Sequence, residues 1–258
     1  MKKLISIELK KILPYPTFWI MLGIYVVLLF LLFFFLHELK LGGPLSLFSL
    51  ESYYTFPKLW HTLTYLASLF NLLLGTLIII LITNEFTFRT ARQNVIDGLS
   101  KADFLIAKLL LILGIALFAT LFVFIIGMIN GVMETQNLTS SMIFEKIDFV
   151  FAYFVQAIAY MCFALFVGTL VKKSGLAIGI FFLYSKIVEP LIEWKLPSQI
   201  SDYLPFHTIS SLIQNPVLKL VGMNVGESPL GIHFGFTLFY SAVFLVGTYL
   251  LITKRDLK

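Results

Sequence analysis

Cysteine is nearly absent from this 258-residue sequence: Cys162 stands alone, which excludes an internal disulfide and any metal site built from several thiolates. Charge is also scarce, at 13% of residues against about a quarter in soluble domains, so a fully hydrated surface would be hard to cover. No G-x-x-x-x-G-K-[ST] loop occurs, so the chain cannot cradle a nucleotide phosphate in that way. His37-Glu38 is followed by Leu41 where a zinc-protease helix needs a second histidine. Gly226-Glu227-Ser228-Pro229-Leu230 fails the serine-elbow pattern at its last residue. Neither a fixed-period repeat nor an inverted symmetry between the halves is visible. By itself the chain is expected not to be an enzyme, and to carry no metal and no cofactor.

What the sequence does have is apolar length. Hydrophobic residues make up 59% of it, and they gather into six stretches near the roughly 20 residues that a bilayer core demands. These run over 18–36, 63–83, 105–129, 149–171, 175–188 with a broken far end, and 234–253. An all-α polytopic membrane protein of one domain, 1–258, follows. Of the 19 basic residues, 13 fall on the side of the bilayer that holds both termini, counting Lys108 at the base of the third stretch. By the positive-inside rule that side is cytoplasmic. The net charge of +5 therefore belongs to the membrane boundary, where lipid is the expected partner and nucleic acid is not.

Three connecting regions carry further signals. In residues 1–16, Leu4, Ile5, Leu9, Ile12 and Leu13 fall near one helical face while most of the lysines lie elsewhere, which predicts an interfacial helix turned inward by Pro14 and Pro16. Residues 85–99 predict an amphipathic cytoplasmic helix, with Phe88, Ala91, Val95 and Leu99 on its apolar face and Arg89, Arg92, Gln93 and Asp97 on the others. Gly98 suits its left-handed end. Ser100 with Asp103 resembles a capping box opening the next helix. Residues 189–232 hold five of the nine prolines yet keep apolar patches at 203–206 and 209–213, which predicts short helices packed as an outer cap.

The layout resembles the permease subunit of the type-two ABC exporter family. Glu85, the Arg89-Thr90 step, the Ile96-Asp97-Gly98-Leu99-Ser100-Lys101 turn and Lys108 carry the resemblance, as does Tyr203-Leu204-Pro205-Phe206 followed by 209–213, which is similar to the family's outer re-entrant segment. Many relatives have Gly before the coupling-helix Thr, where this chain has Arg89. The resemblance implies a bacterial cytoplasmic membrane protein working as a homodimer or heterodimer with a second permease. It also implies two copies of a separate ATPase subunit, which would hold ATP and Mg. Glu85 would anchor the coupling helix, Arg89, Arg92 and Asp97 would dock polar groups of the ATPase, and Phe88, Val95 and Leu99 would form the apolar face, with Gly98 at the turn.

Candidate pathway residues are the polar groups within the stretches. Asn71 and Gln156 are the main polar side chains of the inner spans, too few ionisable groups for a secondary transporter or channel coupled to ions. That class, and a scaffold without transport, are the alternatives to an exporter. Lys186 and Glu189 lie three residues apart, on one face of a regular helix, with Pro190 expected to interrupt that helix immediately afterwards. The lysine is expected to snorkel outward, to pair with Glu189, or to line an exit for an amphipathic or lipid-like substrate.

Overall fold

The computed structural model describes residues 2–40, 54–90, 93, 98–216, 218, 229 and 231–254. All regular structure among them is helical: α1 Lys2–Ile12, α2 Pro16–Lys40, α3 Lys58–Ser68, α4 Asn71–Thr87, α5 Lys101–Glu134, α6 Ser140–Phe144, α7 Asp148–Val171 and α8 Ser174–Leu183. A π-helical turn, Tyr184–Val188, then leads into α9 Glu189–Lys195, α10 Ser198–Ser201, α11 Pro205–Ser211 and α12 Ile232–Lys254. Five helical stretches are long and apolar enough to cross a membrane, or six if α3 and α4, bent by 40°, make one span.

α7 is the axis of the bundle. It packs against α3, α4, α5, α8, α11 and α12, and small residues let them approach: Ala152, Ala157, Ala159 and Ala164 are fully buried. A Cβ on Gly168 would lie 2.5 Å from Ile82 Cγ2. The peripheral helices α2, α5, α8 and α12 instead keep apolar side chains exposed, among them Phe30, Leu121, Leu183 and Phe239, as lipid-facing helices do.

The expected boundaries shift in three places. The second stretch is a broken helix, interrupted at Leu69 and Phe70, so that Asn71 begins α4 instead of lying inside a continuous span. α5 extends beyond the expected 105–129, because the Ser100 cap starts it early and its apolar pattern continues to Glu134. The fifth stretch does not end at Pro190. Pro190 falls in the first turn of α9, directly after the π turn, and the helical run continues from Ser174 to Lys195.

The bundle has a basic end, holding α1, the α4–α5 connection and Lys172–Lys173, and an acidic end. At the acidic end α11 packs against α7 and α12, with Phe206 wedged edge-on against Tyr160 and Phe163. The rest of the expected cap, 217, 219–228 and 230, lies outside the described residues.

Candidate coupling site at the basic end

Four charged side chains from three helices meet under α1. Lys108, in the second turn of α5, donates to Glu8 Oε2 of α1 at 2.6 Å and to Glu85 Oε1 in the last turn of α4. Lys11 completes the group, 3.2 Å from Glu8 Oε1 and 3.4 Å from Glu85 Oε1. Glu8, Glu85 and Lys108 are all buried, the lysine at 3% exposure, and its ammonium also lies 5.2 Å from the Phe104 ring centroid. Two carboxylates face two ammonium groups, so the cluster is neutral as a whole. Losing one member would strand charge in a low-dielectric site. Burial pushes the Glu8 carboxyl up, but the charges and hydrogen bonds of Lys108 and Lys11 outweigh it and hold it below its ordinary value of 4.5.

Local pattern explains how α1 reaches this position. Leu4, Glu8 and Ile12 recur at helical spacing and all three are buried, so a carboxylate stands in the middle of an apolar stripe. That interruption was the signal for Glu8 and its neighbour Lys11, neither of which the amphipathic pattern alone marks as functional. The elbow after α1 is pinned on both sides: Trp19 Nε1 donates to Leu13 O at 2.9 Å, and Asn84 Nδ2 of α4 donates to the Tyr15 hydroxyl at 2.6 Å. A cavity of about 300 Å³ opens beside the cluster, bordered by Lys10, Tyr15, Asn84, Glu85, Phe88 and Thr90.

The α4–α5 connection starts directly from this cluster. Glu85 is part of α4 itself, which continues to Thr87; the expected helix therefore does not begin at 85. The chain breaks at Phe88 and Arg89, where Arg89 takes the left-handed conformation at φ 58°. Helical structure resumes at Thr90, whose hydroxyl donates to Glu85 O at 3.4 Å, and Gln93 N–H donates to Arg89 O at 3.1 Å. Phe88 is 70% exposed and borders the cavity beside the cluster. Ala91, Arg92, Val95 and Asp97 lie outside the described residues. Gly98 has φ 93°, as a terminating residue should, and Leu99 is half-buried.

The far end of the connection is equally tied. Ser100 Oγ accepts from Asp103 N–H at 3.0 Å while Asp103 Oδ2 accepts from Ser100 N–H at 3.2 Å, a complete capping box. Lys101 Nζ donates to Thr253 O at 3.0 Å, fastening the start of α5 to the last turn of α12. Lys172, itself left-handed at φ 58°, places its ammonium 5.1 Å from the Phe86 ring centroid.

The sequence model of a family described as "Protein of unknown function (DUF2705)" matches residues 24–258. The chain belongs to this family. No curated protein matches it. Within this DUF2705 chain the match takes in Glu85 and Lys108 but starts after Glu8 and Lys11.

The remaining candidates lie far from this cluster. Asn71 and Gln156 meet in the interior, where Asn71 Nδ2 donates to Gln156 Oε1 at 3.2 Å and Gln156 Nε2 donates to Ile209 O at 2.9 Å. They thus tie α4 and α7 to the loop-borne helix α11. Lys186 and Glu189 do not share a face: Lys186 is exposed and Glu189 is buried, because the wider i→i+5 winding of the π turn rotates residues three apart away from each other. Glu189 Oε1 instead accepts from His207 N–H in the first turn of α11 at 2.7 Å. His207 Nδ1 in turn lies 2.8 Å from Glu193 Oε1. Among the described residues, no group of three or more His, Cys, Asp or Glu could hold a metal ion.

Proposed function

We propose that this chain is the membrane-spanning permease subunit of an ATP-driven exporter of the ABC type-two class, moving an amphipathic or lipid-like substrate outward. The observation that carries the reading is the buried cluster of Glu8, Lys11, Glu85 and Lys108, placed where the α4–α5 connection leaves the bundle. A partner can shift a gate only by binding its two conformations with different free energies, and the connection offers such a handle. Left-handed residues bound it at Arg89 and Gly98, it is clamped at one end by Glu85 and at the other by the Ser100 cap and Lys101.

A push on residues 90–97 would pass into α4 through Glu85, into α5 through Lys108, and into α1 through Glu8. The left-handed Arg89 supports the resemblance from which the reading starts: many relatives have glycine at that step, and glycine takes this conformation without steric cost. Two copies of an ATPase subunit supply ATP and Mg, and a second permease completes the pathway. Both termini are cytoplasmic in this reading, with the basic end inside.

Purification in mild detergent tests it. A phosphate-loop ATPase should remain bound to the wild-type chain. Charge reversal at Arg92, or Gly98→Pro, should leave the chain folded while reducing ATPase binding or turnover, proline more severely because it cannot adopt a left-handed φ. Unchanged binding and turnover in both variants would reduce the segment to a connector.

A further inference from the structure

A groove of about 490 Å³ runs between α1, α2 and α5 and adjoins the polar cavity, with which it shares Glu8, Ile12 and Leu111. Its walls include Ile5, Leu9 and Leu13 of α1, Trp19 of α2, and Gly114 and Phe118 of α5; among the described residues Glu8 is the sole charged one lining it. Along α5 the walls extend from Ala107 to Phe118, a rise of about 16 Å at 1.5 Å per residue. That equals one leaflet of a hydrocarbon core roughly 30 Å thick. The groove begins at Ala107, beside Lys108 at the basic end, and runs to Phe118, toward the middle of the bundle.

Gly114 is the second observation. Glycine inside a helix is unfavourable, and such a residue usually serves a close contact with another element. Here an added Cβ would meet no atom within 4 Å. Among the described residues no packing accounts for the missing side chain; its effect is to leave room in the groove.

We infer that this groove holds one acyl chain of an anionic phospholipid from the leaflet at the basic end. The inference rests on the membrane reading and its orientation, and not on the identity of the ATPase. Charge selects the headgroup. α1 carries Lys2, Lys3, Lys10 and Lys11 against the one acidic Glu8, and Lys10 is exposed beside the groove-lining Leu9. Basic residues at a bilayer surface draw anionic headgroups. The lipid fills the space under α1 and holds the helix against α5, which keeps Glu8 in register with Lys108.

Native mass spectrometry of the purified full chain tests this with phosphatidylglycerol and phosphatidylcholine as probes. One phosphatidylglycerol should stay bound per chain and phosphatidylcholine should dissociate. Gly114→Leu adds bulk to the groove from a position where a Cβ meets no atom within 4 Å and should abolish retention; Gly114→Ala, the milder change, should weaken it. Lys10→Gln should lower phosphatidylglycerol affinity about fivefold and leave phosphatidylcholine unaffected. Undiminished retention in both Gly114 variants, or equal retention of the two lipids, would overturn the assignment. So would a change from dimer to monomer in Gly114→Leu, because a second protein chain would then be the occupant. Loss of lipid with ATPase binding intact keeps the groove separate from the proposed coupling, whereas absence of any ATPase leaves this test standing.

Discussion

Lys108 Nζ reaches Glu8 Oε2 at 2.6 Å across 100 residues of sequence, and the contact ties α1 to the rest of the bundle. α1 would otherwise be held by Leu4 and Ile12 and by its elbow. With the ion cluster in place, its position is coupled to the ends of α4 and α5.

Lys108→Met leaves Glu8 and Glu85 buried with Lys11 as their remaining ammonium partner in the cluster. The loss should cost about 3 kcal/mol or more, read as a lower thermal midpoint of the detergent-solubilised chain. Adding Glu8→Leu should recover part of that loss, because it removes a stranded charge. A midpoint unaltered by Lys108→Met would show that the cluster does not hold α1.

Acid should loosen the same contact. Glu8 titrates below 4.5 when folded, so as pH falls the unfolded chain takes up its proton first. The stabilisation is present above 4.5 and disappears as pH falls through the lower, folded value. Proteolysis near Pro14 should rise over that window, and Glu8→Gln should flatten the response.

At Arg89 the left-handed backbone costs an ordinary residue about 1–2 kcal/mol. Arg89→Gly should therefore raise stability or leave it level, while Arg89→Val should lower it further than the loss of charge explains. Thermal unfolding of the two variants, compared with Arg89→Ala, separates conformation from charge.

Close packing predicts a contrast between glycines. A Cβ on Gly127 would lie 2.4 Å from Trp60 Cζ3, and Trp60 is held by its hydrogen bond to Ile143 O and by stacking on Phe124. Gly127→Ala should cost about 1–3 kcal/mol. Gly179→Ala meets no atom within 4 Å and should be neutral or mildly stabilising, as unfolding midpoints will show.

Topology is open to thiol labelling, because Cys162 is buried and gives no background. Single cysteines at Gln93 and Lys173 should be shielded from an impermeant reagent in intact cells, and one at Gln136 should react. All three positions are exposed on the protein itself. Labelling at Gln93 in intact cells would reverse the orientation.

Features set by neighbouring residues were legible in the chain alone. Apolar length marks the helices, Ser100 and Asp103 form their capping box from a spacing of three, and Gly98 takes positive φ where a helix must stop. Each depends on local geometry that a short segment imposes on itself. The break at Leu69 and Phe70, the π turn that parts Lys186 from Glu189, and the left-handed Arg89 depend instead on how the helices pack against one another. The same holds for the site. Glu85 and Lys108 could be marked from sequence, but Glu8 became their partner only once α1 folded back under α4 and α5, since a buried charge takes its meaning from whichever opposite charge the fold brings beside it.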